Sequence, residues 1–464
     1  MAGKQINDGV TFVLLGATGD LTKKKLLPAI YHLVAKGKAR HFAIIGASRK
    51  KTSMDSIINS AKKYVKNGKK EVWDNIAKRA VYTSLDFYKK EDYVQLKKVV
   101  KETELRWKLP GKMIVYLATL PAHFEVITKH LEAYHMCKHK KEWPRVVYEK
   151  PFGHDLKSAK KINKTIRKIF EEKHIYRIDH YLGKEFVENI SLVRFTNRIL
   201  EPLWNKDHIE QVQIYINEDI GIDGRGGYYD KYGVVRDMVQ NHLLQLAALI
   251  AMEPPKDLSG DAIRDRKVDA FKRMRIHDLL LGQYQGYLKE KNVAKGSITP
   301  TFAALHLRIS NKRWKGVPFL LMSGKKLPKR EAGIHIKFKR VACLLPMCPE
   351  DTNSLSIRIQ PNEGITFQIN GKVPGKSFVT PIKLDFCQSC VFGPNTPEAY
   401  ETLLHYVMQG DQAAFVRQDG IEAAWKVVDR ALARSKTVYK YKQGSTGPTE
   451  LKMWNTKHKI RWKT

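Results

Sequence analysis

Several side chains able to do chemistry crowd into one short segment, IYRIDHYLGKE at positions 175–185: the carboxylate of Asp179, the imidazole of His180, the phenol of Tyr181 and the ammonium of Lys184. Such polar density directly after an apolar approach is foreign to a core strand. These are groups for moving a proton and for holding an anion. A second constellation is the turn VLLGATGDLTKKK at 13–25. The common dinucleotide fingerprint is G-x-G-x-x-G, and Thr18 and Leu21 stand where its second and third glycines would be. Gly16 nevertheless falls where the chain must turn tightly after an apolar run, and Gly19 lets backbone approach a ligand at the start of the next helix. Taken alone, G-A-T-G fits both a cofactor cradle and an ordinary strand-to-helix turn.

The next apolar run sharpens that choice. FAIIGASRKK ends where a dinucleotide fold presents its ribose selector, and no carboxylate is there. Arg49, with Lys50 behind it, suits the 2′-phosphate of NADP through charge-assisted bonds, although the same arginine also reads as one more surface cation in a basic chain.

The elements that must position these residues fall into two textures. Short apolar runs at 11–15, 42–45, 113–117 and 146–148 alternate with helix-length polar segments, the βαβ pattern of a parallel sheet. From about Arg177 onward, QVQIYINED, AALHLRIS, GIHIKFK and LSIRIQPNE carry the period of two expected of half-buried antiparallel strands, with helical segments around His242 and over 397–435. The expected fold class is α/β plus α+β. A Rossmann-like doubly wound dinucleotide-binding domain over 1–176 precedes a larger α+β domain with a mainly antiparallel sheet over 177–464.

Composition narrows the function classes. The 464 residues with 43% hydrophobic content suit a globular protein of two or three domains. No terminal stretch reads as a signal peptide, and the apolar segment 243–252 is far shorter than the roughly 20 residues of a membrane span, so a soluble, cytoplasmic protein without a membrane partner is expected. The formal net charge of +36 would attract nucleic acid, anionic membranes or phosphorylated metabolites. The cations are spread along the chain, and no zinc-finger spacing, RNA-binding aromatic signature or helix-turn-helix accompanies them, which disfavours a nucleic-acid partner. Cys343 and Cys348, with Cys387 and Cys390, could be read as a four-thiolate zinc site. Free thiols in a reducing cytosol are the default, Cys137 is left over in any scheme, and no metal is expected.

The segment from Arg177 to Glu185 resembles the R-I-D-H-Y-L-G-K-E hallmark of glucose-6-phosphate dehydrogenases, without a change. The resemblance extends to GATGDLTKKKLLPAI, YEKPFG at 148–153, GRGGYYDKYGVVRDMVQNHLLQ at 224–245, GVPFLLMSGKKL from Gly316 and IRIQPNE from Ile357. It implies oxidation of glucose 6-phosphate to 6-phospho-glucono-1,5-lactone with hydride transfer to NADP, the opening step of the oxidative pentose phosphate pathway. His242 would be the general base, with Asp179 holding its other ring nitrogen. On spacing alone, a histidine beside leucines reads as a satisfied helix histidine.

The same resemblance assigns His180, Tyr181 and Lys184 to the substrate phosphate and Glu218 and Asp237 to sugar hydroxyls. Lys150 would sit between sugar and nicotinamide, and Lys325 would reach the sugar, with Arg330 and Gln360 at further plausible positions. Gly16, Thr18, Gly19, Asp20 and Leu21, with Arg49 and Lys150, form the candidate cofactor-binding set. Family members are usually dimers or dimers of dimers. A related dehydrogenase for another sugar phosphate or with NAD preference is the alternative, and a nucleic-acid-binding protein the remote one. Two departures stand out. Leu120-Pro121 replaces the two prolines many relatives carry in the loop after the third strand, and Thr446 replaces an arginine of animal relatives. A second, structural NADP site is therefore not expected.

Overall fold

The computed structural model describes residues 9–136, 143–342, 353–376, 378–393, 397–435 and 437–463. Contacts divide the chain into two compact units. The first comprises 1–185 with two later returns, 257–264 and 397–421; the second comprises 186–256, 265–396 and 422–464.

The first unit is built on a parallel sheet of β1 (Val10–Leu15), β2 (Phe42–Ser48), β3 (Ala80–Ser84), β4 (Met113–Leu117), β5 (Arg145–Tyr148) and β6 (Ile175–Arg177). Their order in the sheet is β3-β2-β1-β4-β5-β6, and every neighbouring pair is parallel. The continuous apolar run of β1, buried at every position, is what a central strand covered on both faces requires. The strand order reverses between β1 and β4. The C-terminal ends of those strands therefore flank the crevice where doubly wound sheets receive ligands.

The return at 397–421 places the helix Ala399–Gln409 in this unit. Its C-terminal carbonyls are satisfied by a buried cation: Arg145 Nη1 donates to the carbonyls of Val407 and Met408, at 2.6 Å each. Gly410 then ends the helix in the left-handed region at φ 84°, where glycine carries no steric penalty. Lys36 pairs with the buried Glu401 at 2.6 Å. The periodicity at 397–435 foresees helices, but only the tertiary structure shows that the first of them packs with the parallel sheet.

The second unit carries a nine-stranded mixed sheet. Its strands are β7 (Ile209–Asn217), β8 (Met274–Tyr284), β9 (Phe302–Ile309), β10 (Phe319–Gly324), β11 (Glu331–Phe338), β12 (Ser354–Gln360), β13 (Gly364–Lys372), β14 (Val379–Cys387) and β15 (Val438–Tyr441). They lie in the order β14-β13-β12-β11-β7-β10-β9-β8-β15. Two pairs are parallel, β7 with β10 and β8 with β15. The half-buried reading of these strands holds best at the β14 edge, where β13 and β14 leave many residues exposed. Centrally it fails. Gln213 of β7 is buried because the C-terminal segment crosses it: Gln213 Nε2 donates to the Arg461 carbonyl at 2.9 Å and its Oε1 accepts from the Lys463 N–H at 3.0 Å. The alternation there is chemical, with amide groups on a face covered by backbone.

The cysteines also depart from expectation. Cys387 is the last residue of β14 and Cys390 lies in the short helix Gln388–Phe392. The turn brings their Cα atoms to 5.2 Å, and the pair forms a disulfide instead of two free thiols or zinc ligands. Cys137, Cys343 and Cys348 lie outside the described residues.

Candidate active site

In the first unit the GATG turn leaves β1 at the strand-order reversal. Gly16 has φ +98°, and a Cβ there would stand 2.3 Å from the carbonyl oxygen of Ala118 at the end of β4. Glycine is thus required both by conformation and by the close approach of backbone. The Gly19 N–H closes on the Gly16 carbonyl at 2.9 Å, and Thr22 Oγ1 donates to the same carbonyl at 3.2 Å. Thr18 and Ser48 hydroxyls meet at 3.1 Å, tying the turn to the end of β2. Arg49 follows that strand and is exposed. Asp20 pairs with Lys24 one helical turn on, at 2.8 Å, and that bond holds its carboxyl below the ordinary range. Leu21 is half-buried at the start of a helix whose opening turn, Thr22–Leu26, is of π type. Ser48 and Tyr82, whose hydroxyls are 2.8 Å apart, brace this corner, although neither belongs to a sequence motif.

Lys150 leaves β5 in the YEKPFG link, half-buried. The link ends at Gly153, φ +82°, before a helix, Leu156–Ile169, opened by reciprocal Asp155 and Ser158 bonds.

The RIDHYLGKE segment follows β6, the edge strand next to β5. Asp179 is buried, and its Oδ1 accepts the Tyr181 N–H at 3.0 Å, while its carbonyl accepts from the Leu182 N–H at 3.0 Å. This side-chain-to-backbone closure makes the segment a compact turn. The imidazole of His180 lies 5.1 Å from the Tyr181 ring, and Lys184 Nζ lies 5.5 Å from the same ring. An imidazole, a phenol and an ammonium are thereby gathered about one point. Gly183 has no room for a side chain, since a Cβ would meet Leu403 at 2.5 Å.

The second unit gathers another group. Glu218 and Lys325 each follow the last residue of adjacent parallel strands, β7 and β10, whose ends align as Asn217 with Gly324. Lys325 Nζ pairs with Glu218 Oε2 at 2.6 Å, and the lysine side chain is only 2% exposed. The backbone of Lys325 is fixed too: Tyr441 Oη donates to its carbonyl at 2.6 Å. Beneath it lies Tyr229, with Lys325 Nζ 5.3 Å from the ring centroid. Burial first, then the charge of Asp237, pushes the Tyr229 phenol well above its ordinary range, and the neighbouring Tyr228 shifts the same way for the same reasons. Asp237 stands in the first turn and His242 in the last turn of a π-type segment, Val235–Leu243, which begins just after a backbone break at Gly233 (φ 60°, ψ 176°) and runs on into the helix Leu244–Ala251. Widened turns of this kind concentrate at functional sites. His242 is fully buried. Arg330 is exposed immediately before β11. Tyr228 and Tyr229 belong to the GRGGYYDKYG run, and only their contacts distinguish them from ordinary core tyrosines.

Residues 13–189 match the family description "Glucose-6-phosphate dehydrogenase, NAD binding domain", and residues 191–463 match "Glucose-6-phosphate dehydrogenase, C-terminal domain". The chain is 38% identical to a glucose-6-phosphate 1-dehydrogenase of Bacillus subtilis over 97% of both chains. It is 40% identical to a cytoplasmic glucose-6-phosphate 1-dehydrogenase of Arabidopsis thaliana, over 95% of this chain and 90% of that one. A solved glucose-6-phosphate dehydrogenase, described as in complex with its substrate glucose-6-phosphate, superposes with a TM-score of 0.92 at 34% identity and 100% coverage of both chains. The chain belongs to the glucose-6-phosphate dehydrogenase family.

Proposed function

We propose that this chain oxidises glucose 6-phosphate at C1 to 6-phospho-glucono-1,5-lactone and passes the hydride to NADP, opening the oxidative pentose phosphate pathway. The observation that carries the reading is the cluster of His180, Tyr181 and Lys184 about one ring, in a turn held by Asp179. A phosphate dianion needs several converging donors, two of them cationic when the imidazole is protonated, and this turn supplies them. Glu218 and Asp237 accept from sugar hydroxyls, Lys325 and Arg330 approach the sugar, and Lys150 lies between sugar and cofactor. His242 takes the proton of the anomeric hydroxyl as the C1 hydrogen leaves with its electron pair. Asp179 holds the second ring nitrogen and stabilises the imidazolium as it forms.

The residues of the first unit fit a dinucleotide. Gly16 and Gly19, with Thr18, Asp20 and Leu21, offer backbone at the strand-order reversal. The exposed Arg49 suits a 2′-phosphate, which supports NADP over NAD. When bound, the nicotinamide supplies the hydride acceptor. An assembly of two copies is supported by β13 and β14, where Ile369 and Ile382 pair directly and, with Leu384, present an exposed apolar face. A cytoplasmic location is part of this reading, as in the name of the 40% identical Arabidopsis relative, while another Arabidopsis relative, 38% identical, is named chloroplastic.

Replacing Lys184 with Ala tests the phosphate assignment. The KM for glucose 6-phosphate is expected to rise by about one to two decades, the worth of a charged hydrogen bond, with little change in the KM for NADP. An unchanged discrimination against unphosphorylated glucose would show that Lys184 does not meet the phosphate.

A further inference from the structure

Glu149 is a buried carboxyl for which the proposed reaction has no use. It follows the last residue of β5, directly before Lys150, and is 9% exposed. Tyr116 of β4 donates its hydroxyl to Glu149 Oε1 at 2.5 Å, and the phenol of Tyr400 bonds to the same carboxyl. Burial pushes this carboxyl up, opposed by bonds from Tyr116 and Tyr400 and by the charge and backbone N–H of Lys150. Both phenols are in turn pushed well above their ordinary range, by burial first and then by Glu149, so they stay protonated and act as donors.

Tyr400 arrives from far along the chain, in the first turn of the helix Ala399–Gln409. That helix is held at its far end by Arg145 and in its first turn by the Lys36–Glu401 pair. With its backbone fixed by the helix and its hydroxyl by Glu149, the Tyr400 ring lies parallel to the imidazole of His180, with centroids 6.5 Å apart and planes inclined by 9°. The Tyr181 ring approaches the same imidazole at 54°. His180 therefore has two aromatic neighbours, one of them anchored through Glu149 to the parallel sheet.

We infer that Tyr116, Glu149 and Tyr400 are positioning residues for the sugar-phosphate site, fixing the plane of the His180 imidazole before substrate arrives. The inference rests on the assignment of His180 to the phosphate. An imidazole on a turn would otherwise be ordered at the expense of binding, and stacking removes that cost in advance. The face of a tyrosine ring also favours a cationic neighbour, and the imidazolium is the form that bonds best to a phosphate dianion.

The test combines Tyr400→Leu, Tyr400→Phe, His180→Asn and the Tyr400→Leu/His180→Asn double variant, with KM measured for glucose 6-phosphate and for NADP. Tyr400→Leu is expected to raise the KM for glucose 6-phosphate about three- to tenfold, and Tyr400→Phe less, with the KM for NADP moving under about twofold. In the His180→Asn background Tyr400→Leu should add nothing further, because it acts through the imidazole. Additive losses, a parallel rise in both KM values, or no effect of Tyr400→Leu where His180→Asn has one, overturns the positioning role alone. An unchanged KM in His180→Asn overturns the phosphate assignment and the inference with it. The His180 ring signals in the NMR spectrum of the substrate-free protein supply a readout independent of turnover. Tyr400→Leu should shift them by loss of the ring current, and Tyr400→Phe should leave them nearly in place. Unmoved signals in Tyr400→Leu would contradict the stacked arrangement.

Discussion

His242 is buried in the last turn of a widened helix, where nothing about a histidine among leucines marks it as a base. Its proposed role rests on chemistry: a lactone forms only if the anomeric proton leaves with the hydride, and imidazole is suited to take it near neutrality. His242→Asn nearly retains shape and hydrogen bonding. Turnover is expected to fall by about 10²- to 10⁴-fold while the KM for glucose 6-phosphate changes little. A similar fall in Asp179→Asn would support the pairing, and near wild-type turnover in folded His242→Asn would remove the base. Asp179, His180, Tyr181 and Lys184 were legible in the sequence because one short segment holds them all. Tyr229, Tyr400 and Glu149 were not. A phenol or a carboxyl becomes informative only when its burial and partners are known, and Tyr400 reaches His180 from a distant helix that no local pattern links to it.

At the scale of elements, the parallel strands were readable because runs such as VTFVLL are buried on both faces and bounded by turns. The covered central strands of the second sheet were not, because Gln213 looks like a solvent-facing residue until the C-terminal segment is seen to bond it. The GATG turn lends itself to a direct test. Gly16→Ala would combine a strained φ with a Cβ 2.3 Å from the Ala118 carbonyl. It should cost upwards of about 1 kcal/mol of stability and weaken the affinity for NADP, checked by thermal unfolding and cofactor titration. Unchanged values for both would mean that the turn relaxes freely.

The helix Leu451–Lys457 offers a second test, through acid. His458 and Lys457 both bond Asp278 at 2.7 Å, and His306 Nδ1 lies 3.2 Å from His458 Nδ1. Burial, then the neighbouring His458, Arg308 and His277, holds His306 down to about 4, against the opposing charge of Asp278. The unfolded chain, with an ordinary histidine near 6.5, binds a proton that the folded chain refuses, so stability is lost as pH falls between roughly 6.5 and 4. Burial would raise Asp278, but Lys457 and His458 hold it to about 2, and that contribution disappears only in stronger acid, from roughly pH 4 downward. His306→Gln should flatten the dependence of Tm on pH in the upper window by an amount equivalent to roughly 2 kcal/mol. Parallel curves for variant and wild type would contradict the assignment.

At the scale of the whole molecule, the net charge of +36 gave the sequence several possible partners, nucleic acid among them. Two features argue for a small phosphorylated substrate: a turn that converges donors, and a buried lysine–carboxylate pair aligned by adjacent parallel strands. The most direct measurement incubates purified protein with glucose 6-phosphate and either NADP or NAD, following reduced nicotinamide and the sugar product. The account predicts one reduced NADP per 6-phosphogluconolactone formed, faster with NADP than with NAD and far faster than with unphosphorylated glucose. No reduction of either cofactor with glucose 6-phosphate, alongside turnover of a different sugar phosphate, would contradict it.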